Sequence, residues 1–188
     1  MRVFIIDNGS KYIDSLATIF LSYETRIVRY DQIDNYIIND EDMIILSGGH
    51  GNPVLWHPKE YAQEMRLVAS HKGPVIGICL GFQLIVHVFG SHFHLLSERR
   101  KGLYNIETTM EADGILDLRQ YTVYENHNWS ASKVIQPLIS LAVSEDGVEI
   151  IKHDTRQIYA MQFHPEEDGV HDGKYILSSI INAAILNN

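Results

Sequence analysis

Apolar residues arrive along this chain in two rhythms. Val3 to Ile6, Met43 to Leu46 and Pro74-Val75-Ile76-Gly77-Ile78 are short, nearly unbroken runs, the length and composition of strands covered on both faces. Between them the spacing changes to the helical period. Ile13, Leu16, Ala17, Phe20 and Leu21 recur on one face, Tyr61, Met65 and Val68 do so within 58–71, and a third helical run extends from Phe82 to Phe89. Pro58, near the start of the second of these, suits a first helical turn. Arg26 to Tyr30 reads as a further strand. Turn chemistry separates the elements at Asp7-Asn8-Gly9-Ser10 and at Ser47-Gly48-Gly49-His50-Gly51-Asn52-Pro53.

The second half reads differently. Leu103 to Thr109, Tyr121 to Glu125, Ile139 to Val143, Val148 to His153 and Gln157 to Phe163 look like strands joined by turns, and an apolar helix spans about Lys174 to Leu186. Strands alternating with helices predict an α/β fold with three layers, a mostly parallel open sheet of flavodoxin-like type between helices. The second half adds strand-rich antiparallel structure. In such sheets a site is expected beyond the carboxyl ends of the strands.

Composition narrows the picture. A chain of 188 residues, 45% hydrophobic and 21% charged, suits a single domain over 1–188. A net charge of -9 argues against binding a phosphate backbone, and the short basic run Arg99-Arg100-Lys101 reads as a solvated loop. The first residues do not resemble a signal peptide, and no apolar run approaches the ~20 residues of a membrane-spanning helix. The single cysteine, Cys79, excludes an internal disulfide and fits a reducing, cytoplasmic setting. It is also a candidate nucleophile.

Its surroundings strengthen that candidacy. Gly77-Ile78-Cys79-Leu80-Gly81 lies between a predicted buried strand and a predicted helix. A nucleophile there would sit on a sharp turn that needs small neighbours, with the following backbone N–H aimed at a developing oxyanion. The helix N-terminus would favour its thiolate. A cysteine nucleophile needs a base, and the base a third group to orient it. Gln162-Phe163-His164-Pro165-Glu166 holds both, because alternate side chains of an extended segment point the same way. By itself, that segment could equally be a strand-end turn stopped by Pro165. Ser47-Gly48-Gly49-His50-Gly51 is either a tight turn or a place where backbone N–H groups approach a ligand.

Together these motifs resemble the class I glutamine amidotransferase family, from the first strand to the last helix. Gly77 to Leu84 is similar to that family's GICLGxQ elbow, and Tyr159 to Glu166 to its QFHPE segment. The resemblance implies hydrolysis of L-glutamine, with Cys79, His164 and Glu166 as the catalytic triad. Gly49 and Leu80 would supply the oxyanion amides. Gln83, Gly51, Asn126, Asn128 and Trp129 would contact the substrate, the last three from a loop Glu125-Asn126-His127-Asn128-Trp129 that grips its α-amino and α-carboxyl groups. His127 would support the pocket or pack on Trp129. No metal or organic cofactor is implied.

The opening Ile5-Ile6-Asp7-Asn8-Gly9-Ser10-Lys11-Tyr12 is similar to the IVDNGGQY start of glutaminase subunits of the GMP synthetase type. The implied partner is a synthetase subunit that accepts ammonia, with the ATP-pyrophosphatase subunit of GMP synthetase favoured. The chain departs from that pattern at His50, at Phe82 and in Asn126-His127-Asn128-Trp129-Ser130. Gly49 to Pro53 is nearer the anthranilate synthase glutaminases, and Asn126-His127 the carbamoyl phosphate type. The other classes are a stand-alone γ-glutamyl hydrolase or peptidase and a non-catalytic subunit. His87, His92 and His94 are close in sequence, but no cysteine or acidic ligand completes a familiar metal spacing, so packing or surface roles are expected.

Overall fold

The computed structural model describes residues 1–49 and 58–186. Its elements are β1 (Arg2–Asn8), α1 (Ile13–Ile19), β2 (Glu24–Arg29), β3 (Met43–Gly49), α2 (Ala62–Ser70), β4 (Val75–Ile78), α3 (Leu80–Val88), β5 (His94–Thr108), β6 (Gln120–Ser130), β7 (Leu138–Ser144), β8 (Gly147–His153), β9 (Ile158–Met161) and α4 (Gly173–Leu186). Among the described residues, nine strands form one sheet in the order β2-β1-β3-β4-β9-β8-β7-β5-β6. The joints from β2 through to β9 are parallel, and those from β9 through to β6 are antiparallel. The predicted α/β architecture is therefore present, with a mixed sheet flanked by helices.

The two-residue period of the apolar runs decides which helix covers which face. Phe4, Ile44, Val75 and Ile158 are register partners across four strands and belong to one core, closed by Val68 of α2 and by Phe82, Ile85 and Val86 of α3. Their chain neighbours Ile5, Ile45, Ile76 and Tyr159 face the opposite way. That second core is closed by Leu16 of α1 and by Ile176, Leu177 and Ile180 of α4. Each such fully buried aliphatic or aromatic side chain contributes about 1.5–3 kcal/mol relative to leaving it in water. Strands that serve two cores at once have no polar face to spare, which is why they read as unbroken runs.

Several boundaries differ from expectation. The helix predicted over 58–71 begins only at Ala62, because the chain first makes a turn at 58–61 that buries Tyr61 against Leu80 and Leu84. The strand predicted from Leu103 begins at His94, so Arg99-Arg100-Lys101 is part of β5 and not a solvated loop. Arg100 is held there by ion pairs to Glu145 and Asp146. The expected loop 125–129 lies within β6, where Asn126 pairs with Lys101 and His127 with Arg100. Among the described residues, no helix is long and apolar enough to cross a membrane.

If α4 is held by its buried face, Leu177→Ala should lower the unfolding free energy by about 2–5 kcal/mol in urea titrations. The exposed Ser178 beside it, changed to Ala, should stay within about 0.5 kcal/mol of the parent.

Candidate active site

At the end of β4 the chain turns straight into α3, and Cys79 is the residue at the corner. Its backbone, at φ 49° and ψ -97°, is the sole positive-φ conformation at a non-glycine among the described residues. Such a conformation costs on the order of 1–3 kcal/mol and persists where neighbours over-determine it. Two glycines show how. A Cβ on Gly77 would lie 2.6 Å from the Gly81 carbonyl oxygen, and one on Gly81 would lie 2.4 Å from the Leu46 carbonyl oxygen. Hydrogen bonds fix the corner on both sides, from Cys79 N to Met161 O at 2.8 Å and from Gln83 N to Cys79 O at 3.0 Å. The spacing G-x-C-x-G is thus the footprint of β4, α3 and β3 packing backbone to backbone.

His164 reaches Cys79 from the adjacent strand. Ile78 and Met161 are register partners, so the chain leaving β9 runs beside the corner. Gln162 Nε2 donates to Cys79 Sγ at 3.7 Å. His164 N donates to Tyr124 O at 2.8 Å, and His164 Nδ1 lies 3.0 Å from Glu166 Oε1. Glu166 is fully buried. Burial alone would lower the His164 pKa, but the charge and hydrogen bond of Cys79, then Glu166, outweigh it and raise the value to about 10. The cationic imidazole is the favoured form beside the sulfur. Gly48 leaves room for that ring, since a Cβ there would sit 2.8 Å from His164 Cε1.

Cys79 and His164 open onto a cavity of about 350 Å³ at the carboxyl ends of β1, β3 and β4. Gly49, Leu80, Gln83, Asn126, Asn128 and Trp129, all picked out in the sequence as oxyanion or substrate contacts, line it. Gly51 lies outside the described residues. Glu166 stands behind His164 and does not face the cavity. The wall also contains residues that sequence reasoning gave no role, Lys11, Tyr12 and Arg99. The Tyr12 ring lies 5.1 Å from that of His164, with Lys11 Nζ 4.4 Å from the Tyr12 centroid. Arg99 donates to Asn126 Oδ1 at 2.6 Å. A basic run in a chain this acidic was the signal available for Arg99.

His127 also lines the cavity, and it belongs to a buried polar group. His127 Nε2 lies 3.0 Å from Glu125 Oε2, and Ser144 Oγ donates to Glu149 Oε1 at 2.7 Å. Ligand atoms of Glu125, His127 and Glu149 fall within 4.8 Å of one another, a donor set that suits a divalent cation. Complete burial and then the Glu125 carboxylate push the Glu149 pKa well above the carboxylate range. A proton on Glu149 would relieve the repulsion between the two carboxyl groups. The alternation Tyr121, Val123, Glu125, His127, all buried, was a period-2 signal obscured by its two polar members.

The profile of the family described as glutamine amidotransferase class-I matches residues 4–183. The chain belongs to the class I glutamine amidotransferase family. This amidotransferase is 27% identical to a glutamine-hydrolyzing GMP synthase chain of Methanosarcina barkeri, covering 96% of this chain and 95% of that one. It is 30% identical to an anthranilate synthase component 2 of Saccharolobus solfataricus, over 95% and 96% of the two chains. Among solved structures, a Thermoplasma acidophilum protein described as a GMP synthase subunit superposes with a TM-score of 0.85 at 25% identity, over 100% of this chain and 95% of that one.

The role of Gly48 in this amidotransferase can be tested without substrate. Gly48→Ala should displace the His164 ring and slow alkylation of Cys79 by iodoacetamide at pH 7 roughly tenfold, with the circular dichroism spectrum retained.

Proposed function

We propose that the chain is a glutaminase that acts through a Cys79, His164 and Glu166 triad. The observation that carries this reading is the corner at Cys79, where a strained backbone holds the sulfur beside a cationic His164 that is braced by a buried Glu166. Cys79 Sγ attacks the side-chain amide carbon of L-glutamine, and the carbonyl oxygen becomes an oxyanion held by the Gly49 and Leu80 N–H groups. His164 gives its proton to the leaving nitrogen, the C–N bond breaks, and ammonia departs from a γ-glutamyl thioester. Water then adds to the thioester as His164 accepts its proton, the C–S bond breaks, and glutamate is released. Glu166 keeps the imidazole oriented and stabilises its charged form. Gln83, Asn126, Asn128 and Trp129 face the same cavity as the sulfur and are assigned to the glutamine head group, as Gly51 is by the family resemblance alone.

Ammonia released here serves a partner synthetase subunit in the cytoplasm. The similarity to glutamine-hydrolyzing GMP synthase chains favours the ATP-pyrophosphatase subunit of GMP synthetase. The similarity to anthranilate synthase component 2 keeps a second acceptor in view. Free glutaminase activity would waste glutamine, so the isolated chain is expected to be slow and to speed up on docking.

Ammonia release from glutamine should fall roughly 10³-fold or more in Cys79→Ala. Adding an ATP-pyrophosphatase subunit should raise the parent rate by about 5–150-fold, a usual range for coupling between sites. Absence of hydrolysis by the chain alone, with that subunit and with the large subunit of anthranilate synthase would overturn the glutaminase reading. Hydrolysis stimulated instead by the large subunit of anthranilate synthase would reassign the acceptor.

A further inference from the structure

Glu64, on α2, is the acidic residue of the molecule least accounted for by the chemistry above. It is fully buried and no cation pairs with it among the described residues. Asn8, at the end of β1, donates through Nδ2 both to Glu64 Oε1 at 3.0 Å and to Ser47 O at 3.1 Å. The Asn8 backbone N–H also donates to Ser47 Oγ at 3.0 Å, and that hydroxyl donates to Gly48 O at 2.8 Å. Asn8 is therefore the tie between β1 and the last residues of β3. Gly49 is pressed onto it so closely that a Cβ would lie 2.3 Å from Asn8 O.

Among the described residues, two atoms in this tie lack partners. Asn8 Oδ1 and Glu64 Oε2 are both buried acceptors with no hydrogen-bond donor there, and they belong to the two groups already joined by the Asn8 Nδ2 to Glu64 Oε1 bond. A single proton on Glu64 would supply the donor that the pair lacks, since a neutral carboxylic acid can face a carboxamide with one donor and one acceptor. An ionised Glu64 would leave a buried charge with one N–H to face it, which is costly.

We propose that Glu64 is a positioning residue for the glutamine site: as a neutral acid it locks the Asn8 carboxamide onto the end of β3 and so fixes the Gly49 amide that faces the oxyanion. This rests on the glutaminase reading for its kinetic consequence, though not for its protonation. Burial raises the Glu64 pKa to about 8, against a smaller opposing effect of the Asn8 hydrogen bond. Tyr61, on the turn that leads into the same helix, is the titratable neighbour that senses Glu64. Its own pKa is pushed up to about 12, by burial first and then by Glu64 and Glu60, so it stays neutral through the window in which Glu64 titrates. Above about pH 8 Glu64 ionises, its donor to Asn8 is lost, and the end of β3 loosens.

The test follows glutamine hydrolysis by the full chain between pH 6 and 9.5. The parent should lose kcat about tenfold between pH 7 and 9, with KM little changed, because an oxyanion donor acts in the transition state. Glu64→Gln mimics the neutral acid and should keep kcat within about twofold over that range, while Glu64→Ala should be slow at every pH. Separately, in ¹³C-glutamate, ¹⁵N-labelled protein, the carboxyl signal that vanishes in Glu64→Gln should titrate near pH 8, and the Asn8 side-chain amide signal should move with it. Coincident alkaline limbs in parent and Glu64→Gln would overturn the proposal even if Glu64→Ala fails to fold. So would a Glu64 titration in the ordinary carboxylate range, or an Asn8 amide that ignores it. If the parent hydrolyses no glutamine, the function proposed above fails and the two resonance measurements alone decide whether the Glu64–Asn8 lock exists.

Discussion

The site depends on one steric constraint, the backbone-to-backbone approach of α3 to the ends of β3 and β4. Gly81 lies against the Leu46 carbonyl and Gly77 against the Gly81 carbonyl, so the chain has room for only one sharp path between strand and helix. Cys79 occupies the bend with φ at 49°. Strain at that residue is sustained by the apolar burial of β4 and α3 on either side, where Ile76, Ile78, Phe82 and Ile85 are all fully buried. A core that packs this tightly converts hydrophobic free energy into the placement of a single sulfur atom.

The second constraint is the placement of His164 beside Cys79, and here the sheet acts as a ruler. β4 and β9 are hydrogen-bonded neighbours, so the residues that follow them emerge side by side. The antiparallel half then fastens the segment after β9 from the other side, through Gln162 N to Glu149 O at 2.9 Å and His164 N to Tyr124 O at 2.8 Å. The junction of the parallel and antiparallel halves therefore coincides with the place where His164 meets Cys79. Lying at the ends of strands but tied on both flanks, the site combines access with rigidity.

How much of this was legible in the sequence depended on how local each determinant is. The strands β1, β3, β4 and β9 could be read because each serves two cores and is apolar along most of its length. The elbow and the His164 to Glu166 segment could be read because close backbone approach and period-2 geometry leave fixed residue spacings. The wall of the cavity could be read only in part, at Gly49, Leu80, Gln83, Asn126, Asn128 and Trp129. Glu125 and His127 are the polar members of an alternating strand's inward face, and their partner Glu149 comes from a strand elsewhere in the chain. Arg99 is exposed, as read, but looked like part of a loop because nothing near it in sequence shows that β5 begins as early as His94. Long-range polar pairing leaves little trace in periodicity, and here it sets the pocket rather than the fold.

The pairing of β5 with β6 carries an implication for how such pockets diversify. From Leu95 to Arg100 the chain of β5 advances five residues while its partner, from Trp129 back to His127, advances two. The surplus length, which includes Arg99, is stored against the cavity wall without altering the pairing on either side. Insertions, deletions or substitutions in that slack would reshape the cavity while leaving the corner at Cys79 untouched. A corner fixed by close packing can in this way sit beside a cavity wall that is free to change shape.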